Sequence, residues 1–262
     1  MHTPVLSIIT VCFNAKKELQ LTIENVLSQT WTHFEYLVID GGSNDCSVDL
    51  LEHCKPLFAE KEISFRYISE SDHGIYDAMN KGTRMASGNW LLFLNAGDLL
   101  YAPDILGKIF SNSHNADILY GDTICVYQGH QKKYPALPLN HLTYEMAFCH
   151  QSAFISRKLL MEYPYDTSFK VCADHNFFLH AYLLKKTFEY LPFPISIYEI
   201  AGFSDKNKLL SHQEKQRMQK QSGVLHYSPA WAIREISFYL KYVIKSVFGQ
   251  KLINFVRKNR LR

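Results

Sequence analysis

None of the six cysteines, Cys12, Cys46, Cys54, Cys125, Cys149 and Cys172, stands in a CxxC pair or at a spacing typical of zinc sites. That argues against a disulfide framework or a structural zinc centre. Several of the six fall in apolar strand or helix contexts, as buried free thiols do. No run of 18 apolar residues occurs, so no membrane-spanning helix is expected. No basic and then apolar leader precedes Val5, and the expected location is cytoplasmic. GxGxxG and Walker lysine loops are both missing, which leaves a dinucleotide or P-loop site without support. Internal repeats and low-complexity segments are missing too. Charged residues make up only 20% of the chain, a level at which disorder is not expected for most of it.

What is present is a 262-residue chain, 47% hydrophobic, able to bury one large core. Its net charge of +3 is unevenly spread. Residues 231–262 hold eight Lys or Arg and one acidic residue, a balance of +7 that leaves −4 for the remainder. This distribution opposes a nucleic-acid-binding body and suggests a basic tail.

Val5–Phe13 is a nearly pure apolar run, as expected of a buried first strand, and Leu19–Leu27 has helical spacing. Phe34–Ile39 reads as a second strand, followed by a helix that Ser43 or Asp45 can cap. Ile63–Ile68 alternates as a third strand, Asp72 caps a helix over Gly74–Met85, and Trp90–Leu94 is a strand buried on both faces. This alternation implies an α/β fold with a doubly wound, mostly parallel sheet. Further on, Asp117–Tyr127 suggests two short strands around Gly121-Asp122, and residues 129–149 suggest a long loop covering a site. Asp174 opens a helix, and strand resumes over Phe188–Tyr198 despite Pro192 and Pro194.

Four strand ends carry acid or amide groups: Asn14, Asp40, Glu70-Ser71-Asp72, and Asn95 with Asp98. Single strands often end this way for turn chemistry. In a parallel sheet, however, four such ends share one edge and line one crevice. A carboxylate beside small residues at such an edge suits a divalent cation carrying phosphate.

The order Ser7-Ile8-Ile9-Thr10-Val11-Cys12-Phe13-Asn14, Val38-Ile39-Asp40-Gly41-Gly42-Ser43, Ser69 through Gly82, and Leu94-Asn95-Ala96-Gly97-Asp98 resembles the family 2 glycosyltransferases over roughly residues 4–205. It is most similar to the bacterial branch that builds O-antigen, capsule or exopolysaccharide repeat units. The resemblance implies a GT-A fold with a small antiparallel part, a nucleotide-diphosphate sugar donor, commonly a UDP-sugar, and transfer with inversion. It implies that Thr10, Phe13 and Asn14 border the nucleoside and that Asp40 hydrogen-bonds the base. Asp72 and Asn95 join the nucleotide-sugar site, Asn80 and Lys81 stand near the diphosphate, and Asp98 holds Mg²⁺ or Mn²⁺. Relatives often have Asp-Ala-Asp-Asp where this chain has Asn95-Ala96-Gly97-Asp98, so one carboxylate stands for three. Because substrate phosphates complete a Mg²⁺ shell, weak cation binding without donor is expected.

Val171-Cys172-Ala173-Asp174-His175 resembles the segment in which an Asp at a helix start takes the acceptor proton, which implies that role for Asp174; its other reading is a helix cap. His150 and Gln151 resemble the acceptor-side strand and touch acceptor or diphosphate, unless His150 is a satisfied core histidine. Asp122 either lines the pocket or makes an ordinary turn. The expected domains are a transferase body over 1–205 and a basic helical extension over 206–262. Residues 231–248 have Arg234, Lys241 and Lys245 on one helix face, opposite Ile236, Tyr239, Leu240, Val243 and Val247. That tail either packs on the body or lies at an anionic inner leaflet, which fits an acceptor carried on a polyprenyl diphosphate. Two rival functions are a sugar nucleotidyltransferase, whose Gly-rich basic loop Asn14-Ala15-Lys16-Lys17 does not supply, and a glycan- or nucleotide-sugar-binding module without catalysis.

Overall fold

The computed structural model describes residues 4–127, 129–199, 207–225, 232, 233 and 235–243. The chain forms two compact units, 1–207 and 208–262, and the expected boundary at 205/206 lies outside the described residues.

The first unit opens with β1 (Leu6–Cys12), α1 (Lys16–Leu27), β2 (Phe34–Asp40), α2 (Ser47–Glu60), β3 (Ser64–Ser69), α3 (Ile75–Met85) and β4 (Trp90–Phe93). β1 and β2 are buried along their whole length, because each has neighbours on both edges and helices over its faces. The order β3-β2-β1-β4 is parallel throughout, so these strands end on one edge. On one face Leu19, Ile23 and Val26 of α1 and Leu51 and Phe58 of α2 close the core. Phe58 stacks on Phe65 with ring centroids 4.5 Å apart.

The second half of the sheet is mixed. It comprises β5 (Leu99–Leu100), β6 (Ile118–Tyr127), β7 (His130–Tyr134), β8 (Ala153–Ser156) and β9 (Phe188–Glu199), with α4 (Ile105–Phe110), α5 (Arg157–Glu162) and α6 (Ala173–Leu183). β8 runs antiparallel between β4 and β6, β7 pairs antiparallel with β6, and β9 lies parallel to β6. The two short strands expected around Gly121-Asp122 are one continuous strand whose register against β9 shifts at that point. The shift absorbs Pro192 and Pro194, which lack the N–H a regular ladder needs. The expected loop over 129–149 contains β7 and a short 3-10 helix at Leu139–Thr143.

In the second unit α7 (Lys208–Gln221) is followed by helical residues at 235–243. His212 stacks on Phe238 with centroids 3.6 Å apart and hydrogen-bonds the Glu235 carboxylate at 2.8 Å. Ile236 and Leu240 are 67% and 59% exposed. The rest of the expected 231–248 helix and the basic stretch beyond it lie outside the described residues. Among the described residues no helix is long and apolar enough to cross a membrane.

Gly88 joins α3 to β4 where the chain crosses β1 at close range. A Cβ there would lie 2.6 Å from the Leu6 carbonyl carbon and from the Ser7 nitrogen, both backbone atoms that cannot swing aside. Gly88→Ala is therefore expected to cost about 1–3 kcal/mol. Urea titration should give a lower midpoint with an unchanged slope; an unchanged midpoint would contradict the close approach.

Candidate active site

Beyond the shared strand edge lie two adjoining cavities, of about 400 Å³ and 650 Å³, that have Val11, Cys12, Phe13, Ile75 and Tyr76 in common. Phe13, the residue after β1, is 63% exposed and lines both. The smaller cavity adds Asp72, His73 and Lys170. Asp72 accepts the Gly74 N–H at 2.8 Å, and Gly41 leaves room for it, since a Cβ there would lie 2.7 Å from Asp72 Oδ2.

The larger cavity brings together Asn95, Asp98, His150, Gln151 and Asp174. Asp98 sits on a turn that α1 fixes. Gly97, at φ +98°, donates its N–H to Thr22 Oγ1 at 2.9 Å, and Thr22 Oγ1 donates in turn to the Asp98 carbonyl at 3.0 Å. Two further bonds, Leu100 N–H to Asn25 Oδ1 at 2.7 Å and Asn25 Nδ2 to the Leu100 carbonyl at 3.1 Å, hold the turn's exit. The Asp98 carboxylate accepts Gln151 Nε2 at 3.3 Å. Burial pushes its pKa up to about 6, outweighing the attraction of His150 and the hydrogen bonds from Gln151 and the Asn95 backbone.

Asp174 lies in the first turn of α6 and is not its cap, which is Cys172. Its Oδ1 accepts the Tyr76 hydroxyl at 2.9 Å and the His175 N–H at 2.8 Å, and its Oδ2 lies 3.4 Å from His150 Nδ1. Burial pushes the Asp174 pKa up, but His150, the His175 N–H and the Tyr76 hydroxyl together bring it below its ordinary value. His150 responds reciprocally: burial lowers its pKa, while the hydrogen bond and charge of Asp174 and the charge of Asp98 carry it above the ordinary imidazole value. The 3-10 turn His150–Ser152 is itself fixed through Ser152 Oγ, which meets Thr123 Oγ1 at 2.8 Å, Ser196 Oγ at 2.7 Å and the Asp122 carbonyl at 2.9 Å.

The donor set fits a hard divalent cation. Asp98 is a carboxylate whose burial is not fully compensated, and Asn95 Oδ1 is buried without a hydrogen-bond partner. Both are oxygen ligands of the kind Mg²⁺ and Mn²⁺ take, with phosphate oxygens left to complete the shell. Among the described residues no group of three or more His, Cys, Asp or Glu could hold a metal without such help.

Other candidates lie outside both cavities. Thr10 is buried, donating to the Leu94 carbonyl at 2.6 Å and accepting the Tyr36 hydroxyl at 2.9 Å. Asp40 is buried with its oxygens taken by Ser43, Ser69 Oγ at 2.6 Å and Cys12 Sγ at 3.4 Å. Asn14, at φ +48°, bonds the Ser43-Asn44 turn. Asn80 clamps the backbone of Tyr165 with two bonds, of 2.8 and 3.0 Å. Lys81 is paired with Glu70 at 3.0 Å and Asp77 at 3.8 Å. Substrate roles for these five rest on the resemblance alone. Asp122 is a buried carboxylate that accepts the Tyr190 hydroxyl at 2.6 Å, the Ala136 N–H at 3.0 Å and Lys133 at 2.7 Å. Tyr76 stands inside the Ser69–Gly82 segment, but nothing local marks its hydroxyl as destined for a carboxylate 98 positions away.

Residues 7–188 match the family model described as glycosyl transferase family 2. A PGL/p-HBAD biosynthesis glycosyltransferase of Mycobacterium bovis is 35% identical over 181 residues, covering 68% of this chain and 69% of the relative. An uncharacterized glycosyltransferase of Mycobacterium tuberculosis is 30% identical over 271 residues, covering 97% of this chain and 98% of the relative. Among solved structures, Staphylococcus aureus TarS 1–349 in complex with UDP superposes with a TM-score of 0.65 at 17% identity, over 83% of this chain and 64% of that one. The mannosyltransferase PcManGT of Pyrobaculum calidifontis, in complex with GDP-Man and Mn²⁺, gives a TM-score of 0.59 at 15% identity, over 91% of this chain and 81% of that one. The alternating strands and helices, the parallel strand ends around a two-part cleft and these likenesses converge: the chain belongs to the family 2 glycosyltransferases and has the GT-A fold.

Proposed function

We propose that this glycosyltransferase moves a sugar from a UDP-sugar, with inversion, to a hydroxyl of a growing lipid-linked cell-surface oligosaccharide, at the cytoplasmic face of the inner membrane. The observation that carries the chemistry is that Asp98 and Asp174 line one cavity together with His150, which lies 3.4 Å from Asp174 and feels the charge of Asp98. The smaller cavity, with the Phe13 ring and Lys170, suits a nucleoside and its phosphates. The TarS structures with UDP and UDP-GlcNAc support a uridine donor, and PcManGT with GDP-Man and Mn²⁺ supports a divalent cation. Asp98 and Asn95 Oδ1 would hold Mg²⁺ or Mn²⁺, which as a Lewis acid neutralises charge gathering on the departing diphosphate.

The acceptor hydroxyl is a poor nucleophile until its proton has somewhere to go. Asp174 supplies that destination. Its Oδ1 is occupied by Tyr76 and His175, so the proton passes to the Oδ2 side, where His150 holds the carboxylate in place. Oxygen–carbon bond formation opposite the breaking carbon–diphosphate bond inverts the anomeric centre. The lowered pKa of Asp174 keeps it ionised and able to accept the proton at neutral pH. Gln151 orients Asp98. The exposed Ile236 and Leu240 and the net positive charge of 231–262 support a role for the second unit at an anionic membrane surface.

Asp174→Asn should lower transfer by about 10²–10⁴-fold and leave donor binding intact. Asp98→Ala should abolish the Mn²⁺-dependent part of donor binding, read as loss of the thermal shift that a nucleotide sugar gives with Mn²⁺. Unchanged donor affinity in Asp98→Ala with Mn²⁺ present refutes the cation site.

In a pH series at saturating donor and Mn²⁺, kcat should fall on the acid side as Asp174 is protonated. Removing His150 takes away the hydrogen bond and charge that hold the Asp174 pKa down, so His150→Ala should move this acid limb to higher pH. A limb that stays put or moves down would show that His150 does not act on Asp174. Separately, Mn²⁺-dependent donor binding should weaken as pH falls through about 6, where Asp98 takes a proton.

Deleting residues 231–262 should remove co-sedimentation with anionic liposomes. Sedimentation equal to that of the full chain would end the membrane reading.

A further inference from the structure

The hairpin of β6 and β7 has two unlike faces. Its register pairs Thr123 with Tyr134, Ile124 with Lys133 and Cys125 with Lys132. Directly paired residues of an antiparallel ladder point to one side, and successive residues alternate. Thr123, Cys125 and Tyr134 all line the larger cavity, so Lys132 is on the cavity side of the hairpin. Lys133 is on the other side, where its ammonium meets buried Asp122 at 2.7 Å. Two adjacent lysines therefore have different surroundings.

Tyr134 is 44% exposed and lines the larger cavity, which puts it at the rim. Lys132 stands one row further along the same face, about 7 Å away on the strand. Its Nζ lies 5.3 Å from the centroid of the Tyr134 ring, and among the described residues no carboxylate pairs with it. All five residues of β7 are exposed, so the ammonium is open to a ligand. The rim is also preformed. Ala136 N–H donates to Asp122 at 3.0 Å, on the carboxylate that holds Lys133, and Leu137 N–H donates to the Ala147 carbonyl at 2.7 Å. These bonds fix the wall over the larger cavity, of which Tyr134, Leu137 and Phe148 are part. A glycan whose hydroxyl reaches Asp174 can leave this cavity past an aromatic ring and then a lysine ammonium.

Resting on the glycosyltransferase reading, we infer that Lys132 binds the diphosphate that joins the acceptor glycan to its carrier, with the sugar next to that diphosphate resting on the Tyr134 ring. The donor's diphosphate belongs with the cation at Asp98 and Asn95, so Lys132 makes a second anion subsite, at the rim and not on the floor. An ammonium receives phosphate as a point charge, without the fixed approach a guanidinium fork demands. That suits a carrier whose chain can arrive from several directions. The ring beneath it supplies apolar contact for a sugar face while the charge is met beside it.

The test uses the full chain with UDP and Mn²⁺ at saturation, so that the donor's diphosphate site is filled. Octyl diphosphate is the probe, octyl glucoside the uncharged control, and calorimetry reads binding. Lys132→Glu should weaken octyl diphosphate about tenfold, as expected for one lost charge-assisted contact, and Lys132→Arg should retain it. Lys158→Glu makes the same charge change on α5, at a residue lining neither cavity, and should leave binding unaltered. In turnover with the donor identified by thermal shift, Lys132→Glu should raise KM about tenfold for an octyl-diphosphate-linked hexose and leave KM for the octyl hexoside unmoved. Three results each overturn the inference: an equal loss in Lys158→Glu, which means charge acting at long range; equal KM rises for both acceptors, which mean support of the strand; and no change, which means a lysine that only guards a free strand edge. A loss confined to co-sedimentation with anionic liposomes assigns Lys132 to lipid headgroups and overturns it too. In all four cases the thermal shift given by nucleotide sugar with Mn²⁺ persists and the glycosyltransferase reading stands. If no nucleotide sugar stabilises the protein or is turned over, that reading fails and takes the inference with it.

Discussion

His150 stands 3.4 Å from Asp174 and within the field of Asp98, and the C-terminal half of the sheet is arranged around keeping it there. Two carboxylates buried beside one cavity lose hydration, which by itself pushes the pKa of each up. His150 opposes that rise at both carboxylates, and the outcome is unequal. Asp174 also has Tyr76 and a helix N–H and stays ionised, whereas Asp98 has fewer donors and its pKa rises to about 6. The environments thus set the pKa values of two chemically identical groups apart, Asp174 below and Asp98 above the ordinary carboxylate value.

The position of His150 depends on Ser152, whose hydroxyl ties the His150–Ser152 turn to β6 and β9. The same part of β6 carries Asp122, and the register shift beside it turns Asp122 toward Ala136, Lys133 and Tyr190. One irregularity therefore serves two ends: it accommodates the prolines of β9 and fixes the wall over the larger cavity. On the parallel side of the sheet the chain is simpler, with strands ending together and Phe13 lining both cavities.

The parallel half of the fold was legible because its strands are buried on both faces, which forces unbroken apolar runs such as Leu6–Cys12. The mixed half was less so. β6 read as two strands because Gly121-Asp122 has turn composition, and β5 is only two residues long, too short to leave a pattern. Among the candidate site residues, Asp98 and Asp174 stood out by their place after a strand and at a helix start, and the structure puts both on the lining of one cavity. Asp40 and Asn80 are equally prominent in the chain, yet their polar atoms are engaged by Ser43 and Ser69 in one case and Tyr165 in the other.

The order of residues fixed the alternation of strands and helices, the family, and the identity of the two acids, since burial periodicity and short motifs are written in neighbouring positions. Tertiary structure alone decided that His150 meets Asp174, that Tyr76 reaches the same carboxylate, and that Asp98 lines the cavity beside them. These are encounters between segments tens of residues apart, set by strand pairing and packing, and no local pattern encodes which side chains will meet.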